Sequence, residues 1–214
     1  MVTRTDRHAA LRERLIDAAE RIIAKEGLTA LKARDIAREA GCATGMIYNL
    51  FAHMDELVLC VSLRTLAMLD AALAASPGPD GDASGEDALA ELVRLADAYL
   101  EFATAHTIRW RALFEHRMAH GHQLPDWFAD RQRVVFAQLE RPLATLLPQF
   151  TTDARRVYAR TLFSAVHGIV ALGLEERLVS LPMSELGHQL VATVRAIVRG
   201  HSELHAVAGL PDEV

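Results

Sequence analysis

With 214 residues, 51% of them hydrophobic and 24% charged, the chain can bury a sizeable core, which excludes a disordered polymer. Two cysteines, Cys42 and Cys60, exclude a disulfide framework, and no basic segment followed by an apolar stretch and a cleavage site opens the chain, so a cytoplasmic protein is expected. The net charge of −5 is unevenly spread: residues 1–52 hold nine bases and seven acids, a balance of +2, while the remainder holds fourteen bases and twenty-one acids, a balance of −7.

Residues 8–26 place Leu11, Leu15, Ala18, Ala19, Ile22 and Ile23 at helical spacing and end at Gly27, a natural C-terminal glycine. A second pattern, Ala33, Ile36, Ala37 and Ala40, stops at Gly41, and a short third helix is expected from Thr44 to Leu50. Leu57, Val58, Val61, Leu66, Leu69 and Leu73 predict one long helix over 54–75, followed by the Pro- and Gly-rich connection SPGPDGDASG at 76–85. Ser84 and Asp87 resemble a capping box opening a helix to about His106. Further helical patterns cover 107–119 and 126–147. Thr152 or Asp153 is expected to cap a helix reaching about Val179, and Pro182 precedes a last one to about His201. The longest apolar run, Leu162–Leu174, falls short of the ~20 residues a membrane helix needs, so no span is expected. No strand-period segment appears, and the chain reads as all-α.

Residues 33–50 have the pattern of a helix-turn-helix: small Ala37 where two helices meet, Gly41 in the turn, Ile36 and Ile47 directed into a shared core. Met46, Tyr48 and Asn49 are left on the outer face. Asn can read adenine bidentately, a tyrosine hydroxyl can reach phosphate, and Gly45 allows close backbone approach to a duplex. Arg4, Arg7, Lys32, Arg34 and Arg38 are the expected phosphate contacts. On spacing alone, ordinary helix packing accounts for the same residues equally well.

The stretch AAERIIAKEGLTALKARDIAREAGCATGMIYNLFAHMDELV, with Gly27, Asp35-Ile36-Ala37, Ala40-Gly41, Gly45, Tyr48, Phe51 and Glu56-Leu57, resembles the N-terminal signature of the TetR family of transcriptional repressors. The resemblance implies a three-helix DNA-binding domain at 1–53 joined by a long helix to a larger helical ligand-binding and dimerisation domain at 54–214. It places Lys32, Arg34, Thr44, Gly45, Met46, Tyr48, Asn49 and His53 at the DNA. Two departures stand out. Lys32 and Ala43-Thr44 replace the usual openings of helices 2 and 3, with Thr44 as a possible cap. Met54, beside His53, replaces a frequent basic residue, which shifts weight to the N-terminal arm MVTRTDRH.

In the C-terminal part, RWRALFEHR at 109–117 and LFSAVHGIVALGLEERL at 162–178 are similar to a subgroup marked by a Trp-His-Gly triplet, present here as Val166-His167-Gly168. The resemblance implies a homodimer and a small-molecule effector. Ser164, Gly168 and Ala171 form a small-residue stripe, and Leu162, Ile169, Leu172, Leu186, Leu190, Val194 and Ile197 supply apolar surface for a dimer face, or for packing inside one subunit. Tyr99, Phe102, Trp110, Phe114, Arg117, Trp127 and His167 are the expected effector contacts, suiting a hydrophobic ligand with few polar anchors; core packing is the plainer reading of each aromatic.

The expected function is a ligand-responsive regulator, most simply a repressor released from a palindromic operator, using no cofactor and no catalytic residues. An activator with the same fold is an alternative. Another is a metal-dependent enzyme built on His116, His120 and His122, the first two lying four apart on an expected helix. No cysteine or carboxylate motif completes that site in the sequence, so no metal is expected.

Overall fold

The computed structural model describes residues 3–75, 84–175 and 182–208, and among these the regular structure is helical throughout. The helices are α1 (Arg4–Glu26), α2 (Ala33–Glu39), α3 (Gly45–Leu50), α4 (Met54–Ala74), α5 (Gly85–Ala105), α6 (Thr107–Glu115), α7 (Asp126–Leu146), α8 (Thr152–Gly173) and α9 (Met183–Ala208), with a 3₁₀ turn at Leu28–Ala30. They divide into two compact units, residues 1–68 with 106–131, and residues 69–105 with 132–214. The first unit therefore takes in more than the N-terminal 53 residues.

In the first unit α1 begins four residues earlier than its apolar periodicity indicates. Thr3 accepts the amide of Asp6 and the Asp6 carboxylate accepts the amide of Thr3, a complete capping box. Residues 4–8 are thus the first turns of a helix, where a free arm was expected. Leu15, Ala18 and Ala19 on α1, Ile36 and Ala37 on α2, Ile47 on α3, and Phe51 and Leu57 beyond it form a core closed to solvent. The unit is also held by charge: Arg64 on α4 bonds Glu13, Asp17 and Glu20, one successive face of α1, and Arg109 on α6 also bonds Glu20. Burial works against the Glu20 carboxylate, but its hydrogen bonds from Arg64 and Arg109 prevail and hold its pKa below the usual value.

In the second unit α9 packs on α5 and α8. Leu92, Leu95, Tyr99 and Phe102 of α5, Leu162, Val166 and Val170 of α8, and Leu186, Leu190, Val194 and Val198 of α9 fill its core. Ser84 and Asp87 cap α5 as their spacing indicates, while α8 is capped by Thr151, ahead of the expected Thr152 or Asp153. That helix stops at Gly173; the rest of its expected extent, from residue 176, lies outside the described residues, as does the connection at 76–83. The buried Glu91 of α5 is paired with Arg141 of α7.

Length and hydropathy would let α4 cross a membrane, yet 56% of its most apolar window is buried in the protein, the condition of a core helix.

Candidate nucleic-acid interface

The turn between α2 and α3 follows from Gly41, whose φ of +69° is strained for any residue with a Cβ. The Cys42 amide donates to the Ala37 carbonyl at 2.9 Å and the Gly41 amide to Arg38 at 3.2 Å, the paired bonds of a Schellman ending. They reverse the chain so that Ile36, Ala37 and Ile47 meet with no solvent access. Helix α3 is then presented with one face inward and the other bare: Gly45 and Asn49 are exposed, and Tyr48 is 57% exposed. An apolar ring left this open on a six-residue helix serves no internal packing.

Two expected details differ. Thr44 makes no side-chain cap; its backbone is already helical, and the first turn is closed by Met46 and Ile47 amides donating to Ala43 and Thr44 carbonyls. Met46 does not face fully outward: it is half-buried against the core, and its sulfur accepts the Asn49 amide at 3.6 Å, which orients Asn49 along the outer face.

Lys32 and Arg34, at the start of α2, are exposed and make no ion pair among the described residues, whereas Arg38 is bonded to Asp35 at 2.9 Å. His53 opens α4, where its Nδ1 accepts the Glu56 amide at 3.1 Å while the Glu56 carboxylate accepts the Ala52 amide at 2.8 Å. His53 thus caps α4 as serine or threonine commonly does, while Glu56 reaches back one residue further, to the Ala52 amide, so the pair resembles a capping box shifted by one residue. Arg12 fastens the junction from α1: its guanidinium lies 4.7 Å from the centre of the Phe51 ring and donates to Glu56 and to the Cys60 sulfur. No sequence signal marks Arg12 for this role.

The expected effector contacts fall in both units. In the second, Tyr99 and Phe102 are buried in α5, and the Tyr99 hydroxyl is hydrogen-bonded to His167 Nδ1 at 2.8 Å. Burial lowers the pKa of His167, favouring the neutral ring. Phe163, which the sequence reading passed over, joins them, edge-on to Tyr99 and Phe136 and stacked on His167; its place one turn before His167 was the available signal. In the first unit Trp110 is 2% exposed and edge-on to Phe114, whereas Trp127 and Arg117 are exposed.

The histidine trio is not assembled as expected. Helix α6 ends at Glu115, so His116 and His120 share no helical face, and His120 is exposed. His116 and His122 converge instead on Asp55, at 3.4 and 2.5 Å, with the His53 ring stacked on that of His122 at 3.9 Å.

An outward helix locked onto a small helical core by a glycine turn, with free cations at its flank, defines a helix-turn-helix DNA-binding protein. Comparison with known proteins gives the family. The profile of bacterial regulatory proteins, tetR family, matches residues 15–61, and that of the tetracyclin repressor-like C-terminal domain matches residues 92–196, together most of the chain. The chain belongs to the TetR family of transcriptional regulators; it is not an enzyme. An uncharacterized HTH-type transcriptional regulator of Haemophilus influenzae is 38% identical over 63 residues, 29% of this chain and 34% of that protein, so the match spans about a third of that relative. In fold, a Rhodococcus sp. RHA1 protein of unknown function is similar with a TM-score of 0.65 and 23% identity over 89% of this chain and 94% of its own. The multidrug binding protein EbrR, solved with imidazole, is similar with a TM-score of 0.56 and 22% identity over 86% and 93%.

Proposed function

We propose that this chain is a ligand-responsive repressor that binds a near-palindromic operator as a homodimer and releases it on taking up a small, hydrophobic effector. The observation that carries the DNA reading is the bare outer face of α3, with Tyr48, Asn49 and Gly45 exposed on a helix whose inner face is sealed. Tyr48 and Asn49 contact the major groove, with Thr44, Gly45 and the edge of Met46 against the duplex. Lys32, Arg34 and the free edge of His53 hold phosphates, so binding weakens steeply with salt.

The dimer reading is supported by one face of α8. Val157 and Leu172 are each 62% exposed, and Thr161, Ser164 and Gly168 lie between them at helical spacing. Thr161 and Ser164 turn their hydroxyls back onto carbonyls four residues earlier, leaving the stripe without an outward hydrogen-bonding demand, and nothing lies within 4 Å of where a Gly168 Cβ would stand. The apolar residues first assigned to this face divide: Leu162, Leu186, Leu190 and Val194 are buried inside the subunit, and Leu172 is left for a partner.

For the effector, the hydrogen bond of buried Tyr99 to half-buried His167 beside Phe102 and Phe163 offers one polar anchor in apolar surroundings, and the likeness to a multidrug binding protein supports a small-molecule ligand. Trp110, Phe114, Arg117 and Trp127, expected with them, belong to the first unit. The effector acts by binding more tightly to the dimer whose recognition helices do not match the operator spacing. Such a regulator works in the cytoplasm.

Selection from a random DNA library with purified, ligand-stripped protein tests the reading. Enrichment of one palindromic motif, with half-sites about one helical turn apart, is the expected result; no enrichment at low or moderate salt rejects sequence-specific binding. Against the selected site, Tyr48→Phe combined with Asn49→Ala abolishes specific binding without loss of folding, and retained affinity rejects the placement of those side chains.

A further inference from the structure

Three histidines from two distant stretches of the first unit meet around Asp55, and of these only His53 is also a proposed phosphate contact. Asp55 stands in the first turn of α4 with its side chain 14% exposed. Its Oδ2 accepts the Ala119 amide at 3.1 Å and lies 2.5 Å from His122 Nδ1; its Oδ1 lies 3.4 Å from His116 Nε2. His53 Nδ1 is 4.0 Å from the same carboxylate, and the donor atoms of His53, Asp55 and His122 all fall within 4.8 Å of one another.

The 116–125 segment is shaped to make this convergence. His116 ends α6; a β-turn then runs from Ala119 to His122, closed by the His122 amide on the Ala119 carbonyl at 3.0 Å, and Gly121 at φ +84° supplies the left-handed conformation it needs. The turn brings the Ala119 amide and the His122 ring onto the same oxygen. His116 Nε2 is enclosed and has no hydrogen-bond partner among the described residues. A buried ring nitrogen left unsatisfied calls for an explanation, because such groups are ordinarily paired. Its 3.4 Å separation from Asp55 Oδ1 is close to the ~3.3 Å that separates two ligands of a tetrahedral ion at bond lengths of about 2.05 Å.

We propose that His53, Asp55 and His122, whose donor atoms converge, bind a divalent first-row transition-metal ion of the zinc class, with His116, which lies against the other oxygen of Asp55, drawn in as fourth donor. Three imidazoles and one carboxylate form a nitrogen-rich set that suits zinc, copper or nickel over magnesium or calcium. The ion takes the place of the proton between His122 and Asp55, and those two groups open from 2.5 Å to ligand–ligand distance. The ion also satisfies the orphaned nitrogen of His116. A site of this kind ties the 116–125 segment to the start of α4. His53 would add a coupling: its Nδ1 lone pair already caps α4 through the Glu56 amide, so coordination there competes with the cap three residues beyond α3. Operator affinity then responds to the metal, a consequence that rests on the DNA reading above; the site itself does not.

The test is a titration of metal-stripped, full-length protein with zinc against a chromophoric chelator, repeated with cobalt for its visible spectrum. One zinc per chain is expected. His116→Ala and His122→Ala each weaken it at least about 10-fold, the scale on which even outer-shell partners of a metal act, whereas His120→Ala changes nothing. Cobalt gives the visible bands of a four-coordinate nitrogen and oxygen set without a thiolate charge-transfer band. Zinc raises the melting temperature of the wild type but not of His122→Ala. The His122 side chain is 35% exposed, so that variant decides the matter if His116→Ala fails to fold. Absence of saturable one-to-one binding overturns the site. So does wild-type affinity in His122→Ala, or equal loss in His120→Ala, which would mark adventitious binding by surface histidines. Because no DNA enters the titration, failure of the metal site and failure of the operator reading are separate results.

Discussion

Gly45 and Gly41 stand four residues apart in the same motif, and alanine at the two positions is expected to act in opposite directions. Gly45 is the first residue of α3, with no left-handed φ and nothing within 4 Å of where a Cβ would sit. Alanine there meets no steric resistance and reduces the entropy lost on folding, a gain of up to about 0.5 kcal/mol at a helix end, where the interior difference of ~1 kcal/mol is not fully realised. At about 2–4 °C per kcal/mol for a chain of this size, the melting temperature rises by about 1–2 °C. Gly41 also has open space around its Cβ position, but its φ is +69°, so the cost is the left-handed backbone alone: about 1–2 kcal/mol, or a fall of about 2–8 °C. Thermal melting by circular dichroism measures both. On the selected operator, Gly45→Ala then loses at least about 10-fold in affinity, or ~1.4 kcal/mol, because the methyl stands where the duplex backbone approaches. A destabilised Gly45→Ala protein refutes the reading of the turn. A stable one with undiminished operator affinity refutes close approach at this residue.

Gly173→Ala differs in mechanism, since its Cβ would meet Leu186 Cδ1 at 2.5 Å and Leu186 has no solvent exposure into which to move; a loss of about 1–3 kcal/mol in urea unfolding is expected, and a neutral variant would show that α8 and α9 have slack there. Stability should fall on acidification partly through Glu20. Its pKa is held below the ordinary 4.5 in the folded chain, so its contribution is present above that value and is lost as pH falls through the folded pKa. Glu20→Gln flattens that part of the pH profile, and an unchanged slope between pH 5 and 3 would remove Glu20 from the account. Leu172→Glu places a charge on the exposed stripe of α8 without touching the subunit core, so light scattering should report monomers with intact helicity; a persistent dimer would locate the interface elsewhere.

The parts of the fold that are legible in the sequence are those whose interactions are local. The core positions of α2 and α3 are legible as apolar spacings, and the turn as a glycine at the end of a pattern, because the contacts of the helix-turn-helix itself fall within the one short stretch from Ala33 to Leu50. The Ser84–Asp87 cap is legible for the same reason; the capping box at Thr3 and Asp6 is equally local, but apolar periodicity carries no information on caps and does not reveal it. Periodicity also shows which side of α8 and α9 is apolar without showing what covers it, so tertiary packing alone separated the buried Leu162, Leu186, Leu190 and Val194 from the exposed Leu172. The same holds for charge. Asp55 in a helix's first turn looks like an ordinary partner of the helix dipole, and its histidines at 116 and 122 lie more than sixty residues away. Arg64 and Arg109 likewise reach Glu20 across 44 and 89 residues. Electrostatic partners at that separation are chosen by how whole helices pack, and no local pattern encodes that choice.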